Sequence, residues 1–278
     1  MKKFLALMLA MVMALSLAAC GNQETTDTQE EGGLVTVTPG KLTVATSPDF
    51  APYEFYAIDK DGNPQLAGFD MALAQYIADY LGLELEVVPM DFDGTIMELA
   101  NKAVDLGMAG YSPDPEREDS MDFSDIYYTG GQSFVCLQSN KGLFATLEDT
   151  NKAEYQIGAQ IGSIQVKLAN ENSPEADIVE LTKVTDIIAE LLAGTLDGAY
   201  IETAVAESYA KNYPELCVVL PVPYDAEGSV VGVSKGNAEL LAGVNEAIAA
   251  ALESGAMDQF VADANEAASG EIIEGLID

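Results

Sequence analysis

The sequence predicts an α/β protein made of two lobes. From Lys41 onward, the spacing of apolar residues changes repeatedly between two, which is typical of strands, and about 3.6, which is typical of helices. These changes fall into two strand–helix units, and a segment with two glycines, 127–131, separates them. A turn-rich segment, 224–228, follows the second unit, so we expect the chain to cross twice between two lobes.

The first unit alternates strands with helices. We predict strands over 42–46, 83–87 and 104–108, and helices over 69–81 and 95–102. Gly82 ends the first helix, because glycine readily adopts the left-handed backbone found at helix C-termini. Connections of this strand–helix–strand kind are right-handed and join parallel strands.

The second unit repeats this alternation. We predict strands over 133–137, 155–160, 178–181, 198–201 and 216–222, and helices over 163–169, 185–192 and 203–211. After the second crossing comes a strand over 230–234 and a long helix that Asn237 caps and Gly255 ends. The sequence therefore predicts a mostly parallel sheet flanked by helices in each lobe.

The charge balance and the missing residue types exclude several functions. The chain has 46 acidic and 12 basic side chains, a formal net charge of −34, no histidine and a single arginine, Arg117. Without an imidazole there is no Ser-His-Asp catalysis and no usual zinc site, and we expect neither a metal nor another cofactor. The negative charge repels phosphate groups, so we expect no nucleic-acid partner.

Three cysteines lie far apart in the sequence. Cys20, Cys136 and Cys217 are at least 81 residues from each other, which excludes a CxxC redox motif, and three thiols cannot complete an all-cysteine zinc site. Cys136 and Cys217 fall in apolar predicted strands, where a buried free thiol is the default. A disulfide between them would need facing positions, which the sequence does not give.

The N-terminus has the pattern of an export signal. Two lysines precede an apolar run, 4–19, that is short for a membrane-spanning helix. The run ends in Leu-Ala-Ala before Cys20, which resembles the bacterial lipobox, in which the cysteine is lipidated and the signal, here 1–19, is removed. The alternative is an ordinary secretory signal whose cleavage site precedes a cysteine by chance. Residues 20–40 are polar and acidic, and we interpret them as a lipidated, disordered tether.

Six sequence blocks carry a family resemblance. They include FAPYEF at 50–55, GFD at 68–70, Asp105, SPDPER at 112–117, MDFSDIYY at 121–128 and DGAYIE at 197–202. In this order and spacing they resemble the family-3 extracellular solute-binding proteins, the polar amino-acid receptors of ABC importers. The resemblance covers about 41–264. It implies a periplasmic-binding-protein-like fold of type II with a ligand cleft between lobe 1, residues 41–131 with 228–278, and lobe 2, residues 132–227.

The resemblance assigns the carboxylate of an amino-acid ligand to the first lobe. Arg117 matches the position of the family's arginine, and a guanidinium can meet a carboxylate with two parallel hydrogen bonds. The family positions that match Gly110 and Ser112 add a backbone donor and a hydroxyl. The alternative for Arg117 is a surface ion pair with an adjacent acid, such as Glu116, Glu118 or Asp119.

The resemblance assigns three donors to the second lobe. Gly162 and Ser163 follow a predicted strand and open a helix, where backbone N–H groups favour an anion. Ile164 replaces a frequent Thr or Ser, so only its backbone N–H can serve. As a lone motif, glycine followed by serine is more often an ordinary helix start.

The remaining candidates are one acid, three aromatic residues and one glutamine. Glu202 matches the aspartate that accepts the ligand's ammonium group in the family, and it is one methylene longer. Phe50 and Phe92 match the two rings that enclose the ligand's side chain, although both, and Phe92 in particular, could simply be core residues. Tyr128 and Gln132 lie near the first crossing and could contact the ligand or support the hinge.

The resemblance predicts a lipid-anchored, monomeric receptor on the outer face of a bacterial cell membrane. It would close its two lobes around one free amino acid and deliver it to an ABC permease, and we expect no enzymatic activity. Two alternatives stay open, a dehydratase-like enzyme on the same fold that acts on a small carboxylic acid, and a sensor for a signalling partner. With no second arginine, the side-chain carboxylate of a glutamate or aspartate ligand would need a lysine or backbone donors, which weakly favours other ligands. A cationic amino acid is compatible with so acidic a chain, but the net charge describes the surface and not the pocket, so the ligand's side chain stays open.

Overall fold

The computed structural model describes residues 34–59, 61–225 and 228–269, and from Val35 onward they form one compact unit. The strands are β1 (Lys41–Thr46), β2 (Asp49–Phe50), β3 (Glu54–Ile58), β4 (Pro64–Ala67), β5 (Glu84–Pro89), β6 (Leu106–Gly107), β7 (Met121–Phe123), β8 (Gln132–Leu137), β9 (Gln156–Gln160), β10 (Asp177–Leu181), β11 (Gly198–Glu202), β12 (Leu216–Val222) and β13 (Gly232–Ser234). The helices are α1 (Phe69–Leu81), α2 (Phe92–Ala100), α3 (Ile164–Asn172), α4 (Val184–Ala193), α5 (Thr203–Asn212), α6 (Ala238–Ser254) and α7 (Ala256–Ala268).

The first five-stranded sheet has the order β5-β1-β6-β13-β7. β1 pairs in parallel with β5 and β6, and β13 pairs antiparallel with β6 and β7, so four of the five strands point the same way. Residues Leu42 to Thr46 of β1 are all buried, as expected for a central strand that has helices on both faces. We call the part of the chain built on this sheet lobe 1.

The second five-stranded sheet repeats the same pattern of directions. Its order is β10-β9-β11-β8-β12, with β9 parallel to β10 and β11, and β8 antiparallel to β11 and β12. We call the part built on it lobe 2. In both sheets the one reversed strand, β13 or β8, is the first strand after a crossing between the lobes. The prediction of two lobes with mostly parallel sheets is confirmed.

Most predicted helices are confirmed, together with their end signals. Gly82 and Gly194 end α1 and α4 in the left-handed conformation, with φ of 70° and 74°. The side chain of Asn237 accepts a hydrogen bond from the backbone N–H of Leu240 at the start of α6. The helix predicted over 95–102 was placed too late, because Asp91 is its N-cap and α2 already begins at Phe92.

The sequence analysis missed several short elements and one long one. A three-stranded antiparallel sheet, β2-β3-β4, lies in the part of the chain between β1 and α1. β7 has only three residues, too few for an alternation of apolar residues to be visible. Helix α7 does show a helical spacing of buried residues, Met257, Ala264 and Ala268, but its many alanines give a weak apolar contrast.

Two further observations concern the helices and the N-terminal segment. None of the helices in the described ranges is long and apolar enough to cross a membrane. The predicted signal 1–19, the lipidation site Cys20 and residues 20–33 of the predicted tether lie outside the described residues. The end of the predicted tether is bound to lobe 1, because the N–H of Val37 donates to Asp105 and the carbonyl of Val35 accepts from Asn237, both at 2.8 Å.

Candidate ligand-binding site

A small cavity lies where lobe 1 faces lobe 2. Its volume is about 10 Å³, which is the room that one water molecule needs. It is lined by Phe50, Phe92, Ala109, Gly110, Ser112, Arg117, Gln160, Ser163, Ile164 and Gln165. The structure therefore brings seven of the nine predicted ligand residues together, and Gly162 and Glu202 are the two that do not line the cavity.

Arg117 reaches from lobe 1 across to lobe 2. It ends the short 3₁₀ helix Pro115–Arg117, and its Nη2 donates a hydrogen bond of 2.7 Å to the carbonyl oxygen of Gly162. Its Nε lies 3.5 Å from the carboxylate of Asp114. Burial lowers the pKa of Arg117, and the negative charge of Asp114 opposes that shift. The guanidinium is thus partly withdrawn from water and points into the lobe interface, unlike an ordinary surface ion pair.

Gly110 and Ser112 follow β6 and form the lobe 1 wall of the cavity. The N–H of Gly110 donates to the carboxylate of Asp70 at 3.0 Å. The prediction that Gly110 offers this N–H to a ligand carboxylate was therefore wrong for this conformation, because the donor already has a buried acceptor. Gly110 has a φ of 58°, and a Cβ there would stand 2.7 Å from the ring of Phe50, so a side chain would push this ring aside.

Lobe 2 contributes the turn between β9 and α3. Gly162 supplies the carbonyl that accepts from Arg117, and the hydroxyl of Ser163 donates to the carbonyl of Gln160 at 2.6 Å. Two polar groups of this turn, the carbonyl of Gly162 and the hydroxyl of Ser163, therefore already have hydrogen-bond partners. The first-turn N–H groups of α3, at Ile164 and Gln165, have no acceptor within the helix and are the natural anion donors on this side.

Glu202 ends β11 but does not line the cavity. Its carboxylate caps α5 by accepting from the N–H of Val205 at 2.9 Å, and it also accepts from the N–H of Gly131 at 3.3 Å. The side chain is only 3% exposed, and this burial raises its pKa to about 7. The predicted role as ammonium acceptor is not supported by this geometry, because the carboxylate turns back to the helix and the first crossing.

Phe50 and Phe92, the two aromatic residues predicted to enclose the ligand's side chain, line the cavity and also pack in the core. Phe50 packs against Tyr53 with ring centroids 5.4 Å apart, and Phe92 meets Tyr111 edge-on at 5.6 Å. Phe92 also belongs to an apolar cluster with Leu99. Both rings are less than 10% exposed and still line the cavity, so the two interpretations from the sequence are compatible.

Tyr128 and Gln132 lie at the crossing and outside the cavity wall. The ring of Tyr128 meets that of Tyr53 edge-on at 5.6 Å, and Tyr128 forms an isolated bridge with Ser229, which joins the two crossing segments. The side-chain oxygen of Gln132 accepts from the amide of Gln165 at 2.9 Å. These contacts fit a role in supporting the hinge.

Three lining residues were missed by the sequence analysis: Ala109, Gln160 and Gln165. The Gln160 amide donates to the carboxylate of Asp49 at 3.3 Å and to the carbonyl of Thr182 at 3.1 Å. A positional signal was available, because Gln160 is the last residue of a parallel strand, the end at which such sheets bind ligands.

Three buried acids, Asp49, Glu54 and Asp70, have shifted pKa values. Burial raises the pKa of Asp49 and of Asp70 to about 6. Burial also raises the pKa of Glu54, and the adjacent charge of Asp70 adds to that rise. Arg117 is the only charged side chain among the residues that line the cavity. Asp49 and Asp70 lie behind its wall, where they accept from the lining residues Gln160 and Gly110. The described residues contain no group of three or more His, Cys, Asp or Glu placed to hold a metal ion.

This arrangement, two α/β lobes with a polar cavity between them, defines a two-lobed binding protein. The chain belongs to the bacterial extracellular solute-binding proteins, family 3, which it matches over residues 42–263. The resemblance drawn from the sequence blocks is confirmed.

Three relatives illustrate the range of the similarity. The arginine-binding extracellular protein ArtP of Bacillus subtilis is 33% identical over 263 residues, which cover 93% of this chain and 96% of that protein. The amino-acid ABC transporter substrate-binding protein AbpA of Streptococcus pneumoniae, solved with L-arginine bound, has a TM-score of 0.80 and 33% identity, and the match covers 84% of this chain and 97% of that one. Cyclohexadienyl dehydratase of Pseudomonas aeruginosa is 30% identical over 187 residues, 67% of this chain and 68% of that enzyme.

Proposed function

We propose that the protein is an extracellular receptor that binds one free amino acid with a cationic side chain between its two lobes and delivers it to an ABC importer. The observation that carries this proposal is the cavity built from both lobes, in which the only arginine of the chain bridges them. Ligand contacts from both lobes favour the closed arrangement, because only that arrangement provides all of them.

In the proposed complex, the ligand's carboxylate replaces the carbonyl of Gly162 as the acceptor of a hydrogen bond from Arg117. In the structure Nη2 donates to the carbonyl of Gly162, and a ligand carboxylate would take this donor and the N–H groups at the start of α3. A cavity of about 10 Å³ does not hold an amino acid, so entry requires the lobes to part. For Glu202 to accept the ligand's ammonium group, its carboxylate must release the N–H of Gly131, which lies at 3.3 Å and thus farther away than the N–H of Val205 at 2.9 Å.

Two observations support a cationic ligand side chain. Behind the cavity wall, the lining residues Gln160 and Gly110 donate to the buried carboxylates of Asp49 and Asp70. A groove of about 460 Å³ also opens beside the cavity, shares Ile164 with it, and carries three acids, Asp114, Glu171 and Asp225, against one lysine. The relatives agree with these two observations, since ArtP is an arginine-binding protein and AbpA was solved with L-arginine bound.

The cellular setting is part of the proposal. Membership of an extracellular family supports a location outside the cytoplasm. We propose that acyl chains on Cys20 hold a monomer at the membrane beside its permease, that residues 20–34 form the tether, and that the lobes comprise residues 41–131 with 228–278 and residues 132–227. The tether ends before Val35, because Val35 and Val37 are hydrogen-bonded to lobe 1. A receptor of this kind returns its ligand unchanged, whereas the dehydratase relative acts on its substrate. The pKa of Glu202, about 7, would suit an acid–base catalyst, but its carboxylate lies outside the cavity wall.

Binding to the twenty amino acids tests the proposal directly. We expect arginine or lysine to raise the Tm of the full chain, since a ligand at about a hundred times its Kd adds about 2.7 kcal/mol to the free energy of unfolding. The mass of the recovered ligand then separates a receptor from an enzyme. The proposal is wrong if none of the twenty raises the Tm, or if the recovered ligand has been converted.

Replacing Arg117 by lysine tests the site itself. We expect Arg117→Lys to raise the Kd for arginine at least about tenfold, or about 1.4 kcal/mol, because lysine cannot form the paired hydrogen bonds. Glu118→Gln is the matched control, since Glu118 is adjacent to Arg117 and exposed. An unchanged Kd in Arg117→Lys would remove this residue from the site.

A further inference from the structure

Two cysteines that are distant in the sequence face each other in lobe 2. In the antiparallel pair of β8 and β12, Cys136 lies directly opposite Cys217. Their Sγ atoms are 3.8 Å apart, and both thiols are free and buried. Directly opposed residues in such a pair have Cα atoms about 4.5–5.5 Å apart, which falls within the range of about 4.4–6.8 Å that disulfides span. The facing positions that a disulfide requires are therefore present.

The two cysteines lie on the strands by which the chain enters and leaves lobe 2. β8 starts at Gln132, directly after the first crossing, and β12 ends at Val222, directly before the second. Gln132 and Val222 are themselves paired. The other three strands of the sheet and helices α3, α4 and α5 all lie between the cysteines in sequence. A bond at this place would enclose nearly the whole lobe.

We propose that Cys136 and Cys217 form a cross-strand disulfide in the exported protein, which joins the two ends of lobe 2 covalently. The family is extracellular, and disulfides form and persist in oxidising compartments. The reaction is exchange with an oxidant disulfide, either a small molecule or a protein. One cysteine thiolate attacks the oxidant and releases one thiol, and the second cysteine then displaces the other. Two thiols become one S–S bond, and the oxidant receives the two electrons and two protons.

The surroundings of the pair indicate when the bond forms. Both sulfurs lie in the apolar core of lobe 2, beside Phe134 and Tyr200. This burial raises the pKa of Cys136 to about 12, and the nearby Cys217 adds to the rise. Cys136 is therefore held almost entirely as the unreactive thiol in the folded lobe, and both sulfurs are buried away from an oxidant, so we expect oxidation to occur while the lobe folds. Once formed, the bond is shielded from reductants by the same packing.

The disulfide should leave the hinge free. The register of β12 against β8 shifts between Val218 and Leu220, so an irregularity separates Cys217 from the second crossing. Such a shift interrupts the ladder and bends the strand locally. Constraint at the cysteines therefore need not reach the crossing segments, and we expect equal ligand affinity in the oxidised and reduced protein.

Refolding with a redox buffer tests the pairing. The full chain is unfolded in guanidinium chloride with a reductant, refolded with oxidised and reduced glutathione, alkylated under denaturing conditions, and digested for mass spectrometry. We expect a cross-linked peptide that contains Cys136 and Cys217, with peptides that contain Cys20 scored separately. Alkylation of both residues after refolding, or linkage between two chains, would overturn the proposal.

Two variants and one melting experiment complete the test. In Cys136→Ala, Cys217 should become fully alkylated, and in Cys217→Ala the same should hold for Cys136. The oxidised wild type should melt about 5 to 15 °C above its reduced form, because the cross-link restricts the unfolded chain over a long loop. An oxidised form that melts at or below the Tm of the reduced form would show that the bond strains the sheet, contrary to the proposal. The Kd for arginine is measured in the oxidised and in the reduced form. Because we expect equal values, the disulfide proposal and the proposed function can each fail without the other.

Discussion

The carboxylate of Asp49 accepts a hydrogen bond of 2.6 Å from the backbone N–H of Val184. Asp49 lies in β2 of lobe 1, and Val184 is the first residue of α4 in lobe 2, so this bond joins the lobes. The same carboxylate accepts from Gln160 of lobe 2 and from Ser47 of lobe 1, and the carbonyl of Asp49 accepts from Tyr209 of lobe 2 at 3.1 Å. Together with the bond from Arg117 to Gly162, these contacts hold the lobes against each other.

Removing the Asp49 carboxylate should weaken ligand binding. In Asp49→Ala the buried N–H of Val184 and the amide of Gln160 lose their acceptor in the closed arrangement, at a cost of about 1–3 kcal/mol. We expect the Kd for arginine to rise about 5- to 100-fold when it is measured by calorimetry.

Asparagine at the same position provides the matched test. In Asp49→Asn the side-chain oxygen can face Val184 and Gln160, while the new amide donates to the hydroxyl of Ser47. We therefore expect a smaller rise in Kd than in Asp49→Ala. Asp61→Ala, in the exposed turn between β3 and β4, is the control and should leave the Kd unchanged. Equal Kd values for wild type and Asp49→Ala would show that this contact does not contribute to closure.

The stability of the protein should fall as the pH rises from about 4.5 to about 7. The pKa of Glu202 in the folded protein is about 7, above its ordinary value of 4.5, so the folded state holds the proton more tightly than the unfolded chain does. The stabilisation by the protonated form is complete below pH 4.5 and is lost as the pH rises through 7. Asp49 and Asp70, each with a pKa raised to about 6, act in the same direction.

Replacing Glu202 by glutamine should flatten part of this pH dependence. Glutamine does not titrate, so the free energy of unfolding in Glu202→Gln should change less steeply between pH 4.5 and 7, by at most about 1.4 kcal/mol per pH unit. The groups that face this carboxyl are the N–H groups of Gly131, Ala204 and Val205 and the hydroxyl of Tyr53. Glu253→Gln, on the exposed side of α6, is the control. Urea unfolding at several pH values measures the slope, and a slope equal to that of the wild type would contradict the assignment.

Gly68 cannot carry a side chain. It precedes α1 with a φ of 120°, and a Cβ at this position would overlap the carbonyl oxygen of Tyr53. We expect Gly68→Ala to lower the free energy of unfolding by about 3 kcal/mol or more, through backbone strain together with the clash. Gly62→Ala separates the two effects, because Gly62 has a φ of 83° but nothing within 4 Å of a Cβ. It should cost only about 1–2 kcal/mol. Equal losses in the two variants, measured by urea unfolding, would show that the contact with Tyr53 is unimportant.

Sequence patterns predicted those parts of the fold that depend on local signals. The apolar face of α1 and the glycine after it are both local, and so is the arginine that follows the proline turn at 113–115. The direction of the Glu202 side chain is not local, because it depends on which N–H groups the first crossing and α5 bring near. The same holds for Gln160 and Gln165, whose partners Asp49 and Gln132 are 111 and 33 residues away. For such residues the sequence marks a strand end or a helix start, but the partner is decided by tertiary packing.

The position of β13 also affects the order in which the lobes can be completed. β7 is an edge strand whose sheet neighbour is β13, although more than a hundred residues separate them in the chain. During translation or passage through a membrane, β8 to β12 emerge together and can assemble their sheet at once. β7 can pair with its sheet neighbour only after Gly232–Ser234 has emerged. Lobe 1 is therefore begun first and finished last, and a nascent chain that stops before residue 232 would carry a complete second sheet beside an open first one.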